Sequence, residues 1–386
     1  QETLELVVPE EYRNMVGNKE SARFKFNRVL EADATQQNVF QAVAHDTVYG
    51  CLRGLSGAIF AYGQTNSGKT WTVTGGEGGD QQGLAPRAIR ALFQKIKDAF
   101  AAEGRVRYEV RASYVEVYEE RVYDLLDVLN RDKAVEEWTT MSILADCGRD
   151  QVPEGRTTFE VDNEEDALNL FDMGNSHRLM GKTPANEMSS RSHAVFTLTI
   201  SSNRQESGED FDDQIETRTI VSRCDLNIVD LAGSERMYKS DRHGCSAGLE
   251  DAAGVELLLG ADGNASAFRA QEARRAGRER EGKNINLSLL TLEKVVHALK
   301  NPGSHVPYRE STLTSVLRKS LGQQCRIVFV VTLSIDREDL GETVATCRFA
   351  QRCRKVVCRP IADERLDPSQ EVDLLRREAA EMRASL

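Results

Sequence analysis

Apolar positions along this chain follow two rhythms. Short runs rich in Val, Ile, Phe and Tyr, at 24–29, 58–62, 106–117, 194–201, 224–230 and 326–333, predict strands. Longer stretches at 37–53, 86–102, 163–173, 284–300, 311–320 and 341–356 predict helices. Strands interleaved with helices of this length predict an α/β layered domain. Two segments break the rhythm. Residues 239–282 are rich in Gly, Ala and charge and carry no sustained apolar period, so a long loop is expected there. After Pro360 the chain turns polar, and Asp367-Pro368-Ser369 reads as the start of a new helix capped by Asp367 or Ser369. In that helix Val372, Leu375, Ala379, Met382 and Leu386 follow a 3-4-3-4 spacing about two heptads long. Such a seam serves either a coiled coil between two copies or packing of the helix on its own domain.

Composition narrows the class without changing that picture. The 386 residues are 40% hydrophobic and 29% charged, which excludes disordered and collagen-like chains. Eight cysteines, with no C-x-x-C pair and no zinc spacing with His, are expected to be reduced thiols of a cytosolic protein. No run approaches the eighteen apolar residues of a membrane span. The start, Gln1-Glu2-Thr3, shows no basic, then apolar, signal peptide, and it lacks an initiator Met. Against 50 Lys and Arg stand 61 acids, a net charge of −11, which taken alone argues against a polyanionic partner.

Chemistry enters at Gly63-Gln64-Thr65-Asn66-Ser67-Gly68-Lys69-Thr70, which fits G-x-x-x-x-G-K-[ST] directly after the apolar run 58–62. Glycines let backbone N–H groups converge on phosphate oxygens; Lys69 would reach the β- and γ-phosphates and the Thr70 hydroxyl would sit on Mg²⁺. Asp230-Leu231-Ala232-Gly233 ends another apolar run, where the Asp can hold a Mg²⁺-bound water and the Gly amide can approach a γ-phosphate. Asn186-Glu187-Met188-Ser189-Ser190-Arg191-Ser192-His193 adds consecutive hydroxyls flanked by Arg and His, suited to one Mg²⁺ ligand, one water-positioning group and one charge.

These three motifs, in this order, resemble the nucleotide loop and the two switches of kinesin motor domains. Supporting segments are 113–118 running into 123–126, 285–289, 305–311 and 347–350. The resemblance spans roughly residues 20–358 and implies a kinesin-type P-loop nucleoside-triphosphatase, a central mixed sheet with helices on both faces. The motor domain would occupy 1–355, a neck-linker-like segment 356–366, and a neck helix or short coiled coil 367–386.

The resemblance further implies ATP and ADP as ligands, with Mg²⁺. Gly63 to Thr70 and Asn186 would hold the nucleotide; Thr70 and Ser190 would ligate the metal, with Asp230 behind a water. Gly233 would sense the γ-phosphate. Arg191 and Glu235 would form an ion pair closing the switches, while Ser189 and Glu235 position or relay protons from the attacking water. Trp71 is placed either to stack on adenine or to pack in the core. The family's Arg-x-Arg-Pro adenine contact is absent, and Thr312 stands where many members carry a basic residue. Phe24 to Leu30, Leu292 to Leu299 and the helix after Asp367 look like the ninth kinesin class, associated with cilia and flagella.

The family meets tubulin through the end of the second-switch loop and the helices after it. Residues 266–319 carry a net +6, leaving −17 on the remainder, so a basic face rides on an acidic body. Lys283, Lys294, Lys300, Arg309, Arg318 and Lys319 are the expected microtubule contacts. No nucleic-acid motif accompanies them. The activity implied is microtubule-stimulated ATP hydrolysis driving plus-end-directed movement in the cytoplasm and axoneme, by a possible homodimer. Two alternatives are a microtubule-binding protein with a regulatory nucleotide site and a GTPase-like switch. The second lacks the expected Asn/Thr-Lys-x-Asp guanine reader.

Overall fold

The computed structural model describes residues 2–103, 106–128, 138–142, 156–180, 188–209, 215–235, 287–301 and 303–384. A small antiparallel pair, β1 (Glu2–Val7) and β2 (Ser21–Phe26), opens the chain. Helices α1 (Gln36–Val43) and α2 (His45–Cys51) lead into β3 (Gly57–Tyr62). Next come α3 (Lys69–Val73), α4 (Leu84–Glu103), β4 (Val106–Tyr118), β5 (Arg121–Asp124), β6 (Thr140–Met141) and β7 (Phe159–Glu160). Then follow α5 (Glu164–Met180), α6 (Met188–Arg191) and the long hairpin β8 (His193–Glu209) and β9 (Ile215–Asp230). A helix over 287–298 precedes the helix Thr312–Val316, β10 (Arg326–Val331), the helix Leu340–Cys353, β11 (Glu364–Leu366) and the helix Pro368–Ala384.

The main sheet is mixed, in the order β10-β3-β9-β8-β4-β5-β6, with β11 added to β9 and β7 to β4. One strand in from β10, β3 runs parallel to both neighbours. All six residues of β3 are buried, as a strand covered on both faces requires. One face is closed by α1, α2, α4 and α5, around Phe40, Ile89, Leu92, Phe171 and Phe196. The other is closed by the helices over 287–298 and Leu340–Cys353, around Phe60, Leu292, Val296, Leu317 and Phe349. Tyr62 stacks on Phe349 with centroids 4.1 Å apart, and Phe60 on Phe329 at 4.8 Å, tying β3 and β10 to this second layer.

Three differences from the pattern-based expectations have physical reasons. The expected helix over 37–53 runs as two pieces meeting at Ala44, and its start is set by a capping box between Thr35 and Asn38. The strands expected at 194–201 and 224–230 are the inner parts of a hairpin that pairs out to Glu209 and Ile215. Its outer half is polar, so cross-strand hydrogen bonding sustains it where apolar alternation has ended. The helix expected over 311–320 is capped by Ser311 but closes at Val316 and continues as turns.

The C-terminal segment lies on the sheet. Glu364, Arg365 and Leu366 pair antiparallel with Ser222, Val221 and Ile220, flanked by Arg223 N–H to the Asp363 carbonyl (3.3 Å) and Asp367 N–H to the Thr219 carbonyl (2.9 Å). Asp367 then accepts from the Ser369 amide at 3.0 Å and opens the last helix, on which Val372, Leu375 and Met382 are exposed. Among the described residues, no helix is long and apolar enough to cross a membrane.

Candidate functional site

Three parallel strands, β10, β3 and β9, end side by side, and each delivers a loop to the same edge, where ligands bind in open α/β sheets. From β3 comes the turn 63–68, which opens α3. Gly63 sits so close to β10 that an added Cβ would meet the Thr332 carbonyl, the Thr332 hydroxyl and the Ser67 hydroxyl. Gly68 adopts a left-handed φ of 100° beside open space, as a cradle for a ligand demands. Ser67 Oγ donates to the Gln64 carbonyl at 2.7 Å and lies 2.6 Å from Thr332 Oγ1, pinning the loop to β10.

Lys69 is 6% exposed, and its ammonium donates to the Gly63 (2.9 Å) and Gln64 (2.7 Å) carbonyls. Burial holds its pKa below the ordinary lysine value, against the opposing pull of Asp230 and Glu235. A buried cation turned onto carbonyl oxygens is one that a phosphate can claim.

The two switch segments meet this loop. Thr70 Oγ1 donates to Asp230 Oδ2 at 2.9 Å. The other carboxylate oxygen of Asp230, Oδ1, is buried with no hydrogen-bond partner among the described residues. A hydroxyl beside an orphaned carboxylate oxygen is a hard, all-oxygen donor set that fits Mg²⁺. The Gly233 amide donates to the Ser190 carbonyl at 2.8 Å, and the Ser234 amide to the Gly63 carbonyl at 3.1 Å, so the three loops are stitched through backbone. Glu235 reaches into the phosphate loop: its carboxylate accepts from the Thr65 amide at 2.8 Å and from the Thr65 hydroxyl. In this arrangement Glu235 is engaged with Thr65, whereas the sequence suggests Arg191 as its partner. Trp71, at the start of α3, is 51% exposed, with its ring edge close to Gly76, which argues against core packing. Asn186, Lys283 and the insert 239–282 lie outside the described residues, as does the Ser189 side chain.

A buried polar layer lies beneath these loops, and of its members the sequence marks His193 as the end of the first-switch motif. Arg178, on α5, donates through Nη1 to Asp230 Oδ2 at 2.7 Å and through Nη2 to the Ser192 carbonyl at 3.2 Å, and its Nε lies 3.6 Å from Glu116 Oε1. Burial works against its charge, but Asp230, Tyr114 and Glu116 more than offset that and raise its pKa. Glu116 is pushed up by burial, while Arg178 and a hydrogen bond from Ser192 Oγ pull it back. His193, at the start of β8, accepts at Nδ1 from the Ala232 amide (3.0 Å), and its Nε2 lies 2.8 Å from Ser288 Oγ. Burial first, then Arg178 and Lys69, depress its pKa to about 3, so the ring is neutral. The sequence marks no such role for Arg178: the expected helix 163–173 stops short of it, and the observed α5 runs on to Met180.

Basic residues gather on the layer of the 287–298 helix. Leu287, Leu290, Lys294 and His297 form its exposed face, with Leu289, Leu292, Val295 and Val296 buried beneath. Lys294 pairs with Glu310 at 2.6 Å, tying the helix to the loop that carries exposed Arg309. The Arg318 guanidinium lies 5.8 Å from the centre of the Tyr308 ring, and both line a cavity of about 560 Å³ with His305, Arg309 and Glu310. Lys319 is exposed, and Lys300 is half-buried, its pKa lowered by burial and then by Lys355 and Arg352.

Comparison with known proteins agrees with this geometry. The family model described as Kinesin motor domain matches residues 6–254 and 263–356, and its break falls inside the 239–282 insert. Kinesin-like protein 3 of Schizosaccharomyces pombe is 33% identical over 360 residues, covering 93% of this chain and 54% of that protein. Kinesin-like protein KLP1 of Chlamydomonas reinhardtii is 33% identical over 370 residues, covering 95% of this chain and 41% of that protein. The chain thus spans about half or less of the length of these curated relatives. Among solved structures, a KIF14 dimer in its two-heads-bound state with AMP-PNP, in complex with a microtubule, superposes with a TM-score of 0.71 at 28% identity, covering 94% of this chain and 89% of that one. A fast kinesin superposes with a TM-score of 0.67 at 28% identity, covering 90% and 84%.

Proposed function

Because this chain belongs to the kinesin motor-domain family, we propose that it hydrolyses ATP with Mg²⁺, is stimulated by microtubules, and converts turnover into movement along them. The observation that carries this reading is the convergence of three loops on one sheet edge: Lys69 and Thr70, the Ser190 carbonyl, and Asp230 with Gly233. Thr70, Ser190 and Asp230 would hold the metal, with Asn186 and the turn 63–68 around the nucleotide. Bound Mg²⁺ would supply positive charge that offsets the negative charge developing on the transferred group. Lys69 leaves its carbonyl partners for the β- and γ-phosphates. The Gly233 amide leaves the Ser190 carbonyl for a γ-phosphate oxygen, and this exchange is the sensing step. Glu235 then passes from Thr65 to Arg191, closing the switches, and Ser189 with Glu235 orients the attacking water. Trp71, half-exposed beside the loop, offers its ring to adenine.

The same reading assigns Lys283, Lys294, Lys300, Arg309, Arg318 and Lys319 to the microtubule face. It takes 1–355 as the motor domain, 356–366 as a neck linker docked on β9, and 367–386 as a neck helix through which two copies pair. The exposed Val372, Leu375 and Met382 support that last assignment. A linker following the motor core implies plus-end-directed movement. Phe24 to Leu30 and Leu292 to Leu299 support the ninth, ciliary and flagellar class and an axonemal place, although the matched relatives carry varied kinesin names.

Steady-state ATPase with and without microtubules tests the reading. Wild type is expected to be stimulated, Lys69→Ala to lose nucleotide binding, and Glu235→Ala to keep both ligands but lose stimulated turnover. Near-wild-type stimulated ATPase in either variant refutes the site.

A further inference from the structure

Two consecutive amides of the second switch rest on the first. Gly233 N–H holds the Ser190 carbonyl, and Ala232 N–H holds His193 Nδ1 at 3.0 Å. Because Nδ1 accepts, the neutral ring carries its proton on Nε2, and that proton is donated to Ser288 Oγ at 2.8 Å. Ser288 lies in the first turn of the 287–298 helix, whose opposite face exposes Leu287, Leu290 and Lys294. All three bonded groups are buried: His193 at 2%, Ser288 at 2% and Ala232 at 0%. One imidazole therefore joins the strand that leaves switch one, the backbone of switch two, and the base of the helix carrying the basic face.

We propose that His193 is a positioning residue coupling the nucleotide switches to the track-side helix through Ser288, and so sets how strongly bound nucleotide changes microtubule affinity. This rests on the motor reading above. When the Gly233 amide exchanges the Ser190 carbonyl for phosphate, the adjoining Ala232 amide moves with it. The ring that this amide holds has a fixed tautomer and little free volume, so its far nitrogen shifts against Ser288. Rigid buried groups transmit displacement in this way because breaking either hydrogen bond would strand a polar atom away from water. Coupling so defined is a free energy shared by two sites, and a ratio of affinities measures it.

The test is microtubule co-sedimentation of the whole chain in ADP and in AMP-PNP, with basal ATPase measured alongside. Ser288→Ala keeps the His193–Ala232 bond and removes the link to the helix. Its basal turnover is expected to stay within about twofold of wild type. The ratio of the two microtubule dissociation constants is expected to fall about three- to tenfold, the worth of one neutral hydrogen bond. Adding His193→Asn to Ser288→Ala is expected to lower that ratio no further, since the path is already cut. An unchanged ratio in Ser288→Ala, or a full additional loss in the double variant, overturns the coupling role. A wild-type chain whose microtubule affinity ignores nucleotide overturns the motor reading and the proposal together. Wild-type nucleotide dependence that survives in Ser288→Ala overturns the proposal alone.

Discussion

Replacing Arg178 by Met keeps most of the side-chain volume and removes a guanidinium that lies between two buried carboxylates. Asp230 is 3% exposed and Glu116 1%, and Arg178 meets them at 2.7 Å and 3.6 Å. Removing one partner of a buried ion pair costs about 3–5 kcal/mol, because the remaining charge is left desolvated. Here two carboxylates are left, and Ser192 Oγ still serves Glu116 while Thr70 Oγ1 still serves Asp230. The lower half of that range, about 3 kcal/mol, is therefore the expectation. Glu116→Gln in the same background removes one stranded charge and keeps an acceptor for Ser192, so it should recover about 1–2 kcal/mol as a non-additive term. Urea unfolding of wild type, both single variants and the double variant, followed by far-UV circular dichroism, measures each quantity if the slopes agree. A loss under about 1 kcal/mol for Arg178→Met would show that the buried layer is solvated or otherwise satisfied. Full additivity with Glu116→Gln would show that the two residues do not share a charge site, and the account of how Asp230 is held would fall.

Other outcomes follow from single contacts. Gly63→Ala places a methyl against the Thr332 carbonyl and should lower affinity for a fluorescent ATP analogue by about tenfold or more, near 1.4 kcal/mol; unchanged affinity would mean that the loop yields freely. The folded-state pKa of His193 lies near 3, below its ordinary 6.5, so the unfolded chain binds the extra proton on acidification and stability is lost as pH falls below about 6.5. Between pH 7 and pH 5 this one ring should account for about 2 kcal/mol, a pH dependence that His193→Asn abolishes in chemical denaturation. Thr65→Val removes one of the two hydrogen bonds that hold Glu235 and should free that carboxylate, raising basal ATPase if leaving Thr65 limits closure of the switches; lower basal turnover would make the Thr65 contact part of the active arrangement.

Residue periodicity located the central strands because burial on both faces leaves a continuous apolar run, as in β3. It also placed the loop 63–70, whose residue types are dictated by local backbone chemistry. What it passed over is non-local. Arg178, Glu116 and His193 come from α5, β4 and β8, and only the folded chain brings them beneath Asp230. Arg178 and Glu116 read singly as a surface charge and a polar strand residue, and His193 as the end of a motif, since nothing in a sequence window marks a buried cation whose partners lie 52 and 62 positions away. The outer half of the β8–β9 hairpin was likewise hidden, because backbone pairing there carries no hydrophobic signature.

The attachment of β11 to β9 has a consequence for mechanics. Its bonds run from Asp363 to Asp367, and the last helix begins at the next residue. Tension applied through that helix falls on the Asp367–Thr219 bond and the nearby Gln370 contact to the Thr219 amide before it reaches any other. A pull along β9 would load the bonds together, whereas under a pull directed across the sheet they open one after another, like a zip drawn from one end. A short strand loaded in this manner separates at low force and closes again when the force is removed. Its partner, β9, is the strand that ends at Asp230, so the fastening, from Thr219 to Arg223, sits on the middle of the same strand that delivers Asp230 to the nucleotide loops.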